Sequence, residues 1–190
     1  MLKINKINII IFLGFLISVL ISINNLNKYD KNVTDENGNT YHQMIKYDAY
    51  RYLSHGDKIK DQLKEGLNFF ETGKEHYTKY LPPRVMAIYY YLFDIDLYEN
   101  SDKKKINTGI HLPYLIFQSL LYYFSVLLLY FSLSKIINNK ISFFILVFLC
   151  FEPTILQYHS SFWSESIFFS LQIIIISLVI KKKQSNLNFF

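Results

Sequence analysis

Four long apolar segments are the feature that most constrains this chain. They cover residues 7–27, 112–134, 141–158 and 160–180. The charged residues within them are Glu152 and Glu165 alone. A helix needs roughly 20 residues, within a range of about 17 to 25, to cross the hydrocarbon core of a bilayer. The sequence therefore predicts an all-α, polytopic membrane protein, with residues 1–190 forming a single membrane domain of four transmembrane helices.

The first apolar segment has the features of a signal anchor. It follows Lys3 and Lys6, and the residues "SINNLN" near its end offer no small-residue cleavage site. A further apolar segment, "RVMAIYYYLFDIDLY", is too short to cross and contains Asp94 and Asp96. It is expected to lie along the membrane interface or to dip into the membrane without crossing it.

The distribution of charge predicts the topology. Residues 28–105 contain 13 basic and 13 acidic residues, so the long loop is neutral. The remaining basic residues are seven lysines: Lys3, Lys6, Lys135, Lys140, Lys181, Lys182 and Lys183. Lysines in short loops and at chain ends mark the cytoplasmic side. The protein is therefore expected in the plasma membrane, the inner membrane or an equivalent membrane. Both of its termini are expected on the cytoplasmic side, with loop 28–111 outside.

Two helices are expected within this external loop. From Asp48 an apolar stripe recurs at helical spacing, formed by Tyr52, Ile59, Leu63, Leu67 and Phe70. Pro82 and Pro83 suit the first turn of a second helix, where a missing amide donor costs nothing. Its body is rich in tyrosine, which is favoured at headgroup depth. Both are predicted to be interfacial helices.

Several polar residues could carry chemistry on the external side, and each also has an ordinary structural role. Asp48 opens the first loop helix, where Asp is a preferred N-cap. Lys79 and Arg84 flank the proline pair and could extend toward lipid phosphates. Glu165 opens the last span, close to His159, and ionisable residues at the edge of a hydrophobic span are functional candidates.

The spacing of these residues gives no metal site. No cofactor is predicted, although use of a divalent metal stays open. The single cysteine, Cys150, excludes a disulfide framework within the chain.

Taken together, short motifs in this order resemble the N-terminal part of the GT-C glycosyltransferases, close to the protein O-mannosyltransferase and aminoarabinose transferase group. The residues that carry the resemblance are Asp48, Tyr50, Leu53, Gly56, Lys79, Pro82, Pro83, Pro153, Tyr158, Ser164, Glu165 and Ser166. The resemblance implies that Asp48 acts at the catalytic centre. It also implies that Lys79 or Arg84 contacts the donor phosphate, and that Glu165, His159 and Tyr50 line the cavity for the acceptor.

The implied reaction transfers a sugar from a polyprenyl-phosphate donor to an acceptor hydroxyl outside the cytoplasm. The leaving group is already a weak base, so a cation that stabilises its charge helps more than a strong acid. A carboxylate on the other face of the sugar takes the proton of the acceptor. One base and a direct displacement imply inversion at the anomeric carbon.

Two classes of function stand side by side. Members of the GT-C family that the chain resembles have more spans and a second large external loop. The chain is therefore expected to be an N-terminal fragment, a subunit completed by a second chain, or an inactive relic. The other class is a non-catalytic small membrane protein with an assembly or lipid-binding role. Membrane lipid is a partner in both, and nucleic acid is not.

Overall fold

The structure, a computed structural model, describes residues 2–28, 32–34, 40–42, 48–72, 81–98, 109–159 and 164–187. Within these ranges the chain is all-α apart from a short ladder of two antiparallel strands. The helices are α1 Leu2–Lys28, α2 Asp48–Lys64, α3 Leu81–Leu92, α4 Leu112–Leu133, α5 Asn139–Phe151, α6 Pro153–His159 and α7 Ser164–Leu187. A 3-10 turn, Gly109–His111, precedes α4. The strands are β1 Asn32–Thr34 and β2 Thr40–His42, with Val33 opposite Tyr41.

The chain divides into two compact units. One, the helical unit, contains residues 1–23 and 115–190, and the other, the loop unit, contains residues 24–114. The loop unit includes residues 28–111, which link the first two apolar segments. Among the described residues, two helices are long and apolar enough to cross a membrane, over Lys6–Leu26 and Leu112–Leu133. These agree with the first two predicted spans.

The third predicted span, 141–158, is interrupted. Helix α5 ends at Phe151, Glu152 has extended backbone angles (φ −64°, ψ 123°), and α6 begins at Pro153. Proline has no amide hydrogen and its ring clashes with the preceding turn, so a continuous helix cannot run through Pro153 without a break. The Oε2 atom of Glu152 accepts a hydrogen bond from the amide of Ile155 at 2.7 Å and so caps α6.

Helix α1 packs antiparallel to α4 within the helical unit. A Cβ on Gly14 would lie 2.7 Å from a ring carbon of Tyr123. One turn further along, the hydroxyls of Ser18 and Ser119 lie 2.9 Å apart. From the first contact to the second, the residue number in α1 rises by four while the residue number in α4 falls by four. The two helices therefore run antiparallel.

The later helices continue this alternation. Gln118 donates to the carbonyl of Tyr158 at 3.3 Å, and Tyr122 donates to that of Leu149 at 2.8 Å. As the residue number in α4 rises, the residue number of the acceptor falls, so the α5–α6 pair runs antiparallel to α4. Against α7 the order is reversed. The Tyr122 ring stacks on Phe169, with centroids 6.1 Å apart, and Ser132 donates to the Ser177 carbonyl at 3.2 Å, so α7 runs parallel to α4.

The helical unit buries small polar residues among the apolar residues of its core and exposes large apolar side chains. On α7, Ser166 and Ser170 are fully buried, whereas Phe168 and Ile175 are each 60% exposed. The other buried polar residues of this unit are Ser18, Ser22, Gln118, Ser119, Ser125, Ser132, Ser142 and Ser177. Its exposed large apolar side chains are phenylalanine, leucine, isoleucine, valine and tyrosine, and its exposed lysines, such as Lys135 and Lys182, lie near the helix ends. Apolar residues at buried positions, including Tyr122 and Leu146, fill the space between the serines.

Helices α2 and α3 pack against each other in the loop unit. Leu53 and Ile59 of α2 and Tyr90 of α3 are essentially fully buried. Ile59, the centre of the stripe predicted to lie on a membrane surface, is therefore covered by protein. Leu67 and Phe70, the last members of that stripe, are exposed and lie beyond the end of α2 at Lys64.

Gly56 allows the close approach of α2 and α3. A Cβ at this position would lie 2.7 Å from Cβ of Met86, 3.2 Å from the Pro83 carbonyl oxygen and 3.3 Å from the Ala87 amide. Because two of these neighbours are backbone atoms, Gly56→Val should force the helices apart. We expect the loop unit to lose about 1–3 kcal/mol of stability, the usual cost of overpacking. Faster hydrogen exchange in both helices would measure this, with exposed Lys58→Val as the matched β-branched control.

Candidate functional site

Arg84 lies in the first turn of α3 and holds the turn that follows α2. Its guanidinium donates to the carbonyls of Phe69 and Thr72, the latter at 3.0 Å. It also lies 5.1 Å from the centroid of the Phe69 ring. A guanidinium has five N–H donors. These two bonds therefore leave donor capacity for an anion such as a phosphate.

Lys60 is a buried cation on α2, with 3% of its surface exposed. Its Nζ lies 2.9 Å from Asp57, 3.5 Å from Asp61 and 3.1 Å from Asp96, and it donates to the carbonyl of Ile95 at 3.1 Å. A buried charge is tolerated when it is both paired and hydrogen-bonded. Lys60 meets both conditions, and it joins α2 to the segment that follows α3.

The acidic neighbours decide the protonation state of Lys60. Burial by itself lowers the pKa of an amine, but the hydrogen bonds to Asp57 and Asp96 and the charge of Asp61 outweigh it, so the pKa of Lys60 is raised. The amine therefore stays charged at neutral pH. A charged amine in an acidic cage is neither a nucleophile nor a general base, so this cluster stabilises the unit.

A second ion pair fixes the same segment. Lys64, on the exposed side of α2, pairs with Asp94. Asp94 has a positive φ of 50° at the end of α3, a conformation that aspartate tolerates better than most residues. The hydrogen bond and charge of Lys64 lower the pKa of Asp94. The chain reversal after α3 is thus held by ion pairs from two successive turns of α2.

A buried tyrosine–histidine pair lies at the junction with α4. The Tyr90 hydroxyl is 2.8 Å from Nε2 of His111, and both side chains are fully buried. Tyr89, the neighbour of Tyr90, donates to the carbonyl of Ile110. Burial raises the pKa of Tyr90, so its hydroxyl stays protonated and is a hydrogen-bond donor at neutral pH. These bonds tie α3 to the residues that start α4.

Most of the residues predicted to form the site have side chains outside the described part of the chain. Asp48 and Tyr50 are the first and third residues of α2, and Glu165 is the second residue of α7. His159 ends α6. Lys79 lies outside the described residues altogether. Arg84 is the one predicted site residue whose side-chain contacts are described, so the mutual distances within the predicted site stay predictions.

The sequence pattern assigns no functional role to Lys60 or His111. Asp57 and Asp61 flank Lys60 at helical spacing, which is a readable signal for an ion pair. Asp96 is 36 residues away in sequence, and no local pattern predicts that contact. For His111, the one local signal of a special role is its position directly before a candidate span.

The described residues contain no group of three or more histidine, cysteine or acidic side chains arranged to hold a metal ion. The chain matches no protein-family model, no curated protein and no solved structure. The evidence for function therefore lies in the arrangement of the helices and the chemistry of the residues.

Proposed function

We propose that the chain is an integral membrane protein with four crossings, formed by α1, α4, the α5–α6 pair and α7. The observation that carries this is the set of serines buried in the helical unit beneath exposed large apolar side chains. A water-soluble bundle buries its apolar residues and exposes charge. In lipid, association depends on close packing of small residues and on hydrogen bonds between helices. Buried serines beneath an exposed layer of phenylalanine and isoleucine fit the second environment.

The directions of the helices support the same topology. Helix α1 is antiparallel to α4, the α5–α6 pair is antiparallel to α4, and α7 is parallel to it, as the contacts above require. Four consecutive crossings must alternate in this way. The end of α1 and the start of α4 then lie at the same end of that pair. The lysines of the short connections lie at the opposite end, which is cytoplasmic by the positive-inside rule.

Cysteine accessibility tests the topology. In a Cys150→Ala background we introduce Lys58→Cys in the loop unit, Asn138→Cys before α5 and Gln184→Cys near the end of α7. A membrane-impermeant maleimide added to intact cells should label position 58 and leave positions 138 and 184 unlabelled until the cells are opened. Labelling of position 184 from outside would contradict an even number of crossings.

We further propose that the loop unit belongs to a glycosyltransferase that uses a polyprenyl-phosphate sugar as donor. Asp48 would take the proton of the acceptor hydroxyl, and Lys79 or Arg84 would stabilise the departing phosphate. Two features support this proposal. Helix α2 begins at Asp48, and α3 begins with Leu81 followed by the proline pair, as the resemblance implies. Arg84 also retains donors for an anion beyond its bonds to the carbonyls of Phe69 and Thr72.

The experiment that tests this function supplies labelled polyprenyl-phosphate sugars to membranes containing the full chain. Label should pass from the donor lipid to an acceptor hydroxyl with inverted anomeric configuration. Membranes from cells that lack the chain provide the background. Failure to transfer any of the common sugars, in membranes where the chain is inserted and folded, would contradict the enzyme proposal.

A second candidate function rests on two described cations of the loop unit. Lys60 is fully committed to its acidic neighbours, and Arg84 bonds to two backbone carbonyls. Both contacts stabilise the unit itself. This favours a non-catalytic membrane protein whose loop unit serves assembly or lipid binding. A correctly inserted chain without transfer activity would be the outcome that this function predicts.

A further inference from the structure

The cations and the acids of the helical unit lie at separate levels along its helices. In sequence, the unit contains seven lysines, no arginine and two acidic residues, Glu152 and Glu165. Glu165 lies in the first turn of α7, whereas Lys181, Lys182 and Lys183 follow the apolar stretch of that helix. At about 1.5 Å per residue, Glu165 and Lys181 are about 24 Å apart along α7.

The contact between α4 and α7 brings lysines of both to one level. Ser132 of α4 donates to the Ser177 carbonyl of α7 at 3.2 Å. Lys135 lies three residues beyond Ser132, in the turn that follows α4. Lys181 lies four residues beyond Ser177. Because α4 and α7 run parallel, both lysines lie about one turn past the same contact.

Helix α1 adds a lysine at this level. Gly14 packs on Tyr123 of α4, and the two helices run antiparallel. Lys6 lies eight residues before Gly14. The residue of α4 at the same level is therefore eight residues after Tyr123, which is Phe131. Phe131 directly precedes Ser132, so Lys6 lies within about one turn of Lys135.

Helix α5 also begins at this level. Leu149 accepts from Tyr122 of α4 at 2.8 Å, and Lys140 lies nine residues before Leu149 in the antiparallel α5. Lys140 is therefore also level with Phe131. Glu152 lies on the other side of the same contact, about 18 Å from Lys140 along the helix. Six lysines of this level have described side chains, and all are exposed: Lys6, Lys135, Lys140, Lys181, Lys182 and Lys183.

These six residues, the lysine end of the helical unit, form a concentrated positive charge. Glu152 and Glu165 lie roughly 18–24 Å away along their helices, well beyond the Debye length of about 8 Å at physiological ionic strength. The acids of the helical unit therefore do little to offset this charge. In the proposed four-crossing arrangement, the lysine end lies at the cytoplasmic surface of the membrane, where anionic lipids carry fixed negative charge.

We propose that the lysine end binds the headgroups of anionic phospholipids in the cytoplasmic leaflet, in preference to zwitterionic phospholipids. Clusters of about 4–8 basic residues directly cytoplasmic of a span attract such lipids. The lysines come from all four crossings at one level, so headgroups beside any of the helices meet a cation. This inference rests on the proposed membrane arrangement and does not depend on sugar transfer.

Photochemical crosslinking in bilayers tests the proposal. The full chain is placed in bilayers of phosphatidylcholine and phosphatidylglycerol, with a trace of either lipid carrying a diazirine near its headgroup. Mass spectrometry locates the adducts. The readout is the ratio of phosphatidylglycerol to phosphatidylcholine adducts at the lysine end, divided by that ratio at the opposite ends of the same helices. A lysine near the surface contributes about 1 kcal/mol, which is about fivefold, so we expect a value of about five or more.

Two pairs of substitutions separate charge from structure. The double variant Lys135→Gln and Lys181→Gln should lower the normalised ratio around these positions by about fivefold. The matched double variant Lys135→Arg and Lys181→Arg keeps both charges and should keep the ratio. Salt of about 1 M, at which the Debye length is about 3 Å, should also lower the ratio of the unsubstituted chain. Inorganic phosphate, added at constant ionic strength, should leave it unchanged.

Four results would overturn the proposal. A normalised ratio near one would leave the lysine end to a soluble acidic partner. An unchanged ratio in the glutamine pair would place the lipid preference elsewhere. An equal loss in the arginine pair would mean that the substitutions act through the fold. Loss of the preference in inorganic phosphate would indicate a site for a soluble anion.

These outcomes are separable from those of the proposed function. Crosslinking needs no sugar donor, so an inactive chain can still be measured. The cysteine-accessibility pattern establishes independently whether the chain and its variants cross the membrane as proposed. A correct pattern with no excess of phosphatidylglycerol at the lysine end rejects the lipid site alone.

Discussion

Replacing Asp48 with asparagine is expected to abolish sugar transfer, with a loss of at least a hundredfold, the lower end of the roughly 10²–10⁴-fold contribution of a general base. The amide of asparagine cannot accept the proton of the attacking hydroxyl at neutral pH. The substitution changes neither size nor helix-starting ability, because Asn and Asp are equally good at the start of a helix. Transfer from a labelled donor in membranes, at matched protein levels, measures the effect.

The control for this variant is Glu65→Gln, which removes one negative charge near the other end of α2. It should transfer sugar at the rate of the unsubstituted chain. Activity of Asp48→Asn within a few fold of that rate would remove Asp48 from the role of base. If both variants lose activity, the net charge of the loop unit is responsible instead, and no residue-specific role for Asp48 follows.

Helix starts could be predicted from the sequence because their signals are local. Asp48, the proline pair before Arg84, and the onset of the apolar segment at Leu112 each mark a helix start within one residue of its position in the structure. The interruption at Glu152 also has a local cause, Pro153. What could not be predicted is how the break is satisfied, since Tyr122 and its acceptor Leu149 are 27 residues apart.

The amphipathic stripe of α2 shows why partners are harder to predict than elements. An apolar helix face indicates that something apolar covers it, but the pattern is the same for a lipid surface and for another helix. Ile59 packs inside the loop unit because Gly56 lets α3 approach. The candidate catalytic residues raise the same difficulty, since Asp48 and Lys79 can be assigned roles only through contacts between distant parts of the chain.

The second large effect is expected from Lys60→Met, which keeps the length of the side chain and removes its charge. Asp57, with 14% of its side chain exposed, would then be left without its cation. Removing one partner of a buried ion pair costs about 3–5 kcal/mol. We expect about 3 kcal/mol, near the lower limit of that range, because Asp61 and Asp96 remain largely exposed to water. Local exchange in α2 and α3 should quicken by about a hundredfold, since 1.4 kcal/mol is tenfold.

The contribution of Lys60 to the stability of the loop unit should depend on pH, because the pKa of Lys60 is raised. A group whose pKa is higher in the folded state contributes its full stability below the unfolded value and loses it as the pH rises through the folded value. The unsubstituted loop unit should therefore lose stability above pH 10.5, the ordinary pKa of lysine, and Lys60→Met should lack that pH-dependent loss.

Lys58→Met, on the exposed side of the same helix, is the control and should exchange as the unsubstituted chain does. Adding Asp57→Asn to Lys60→Met should recover part of the lost protection by removing the uncompensated charge. Unchanged exchange in Lys60→Met would mean that the amine is hydrated and that the acidic cage does not hold the loop unit together.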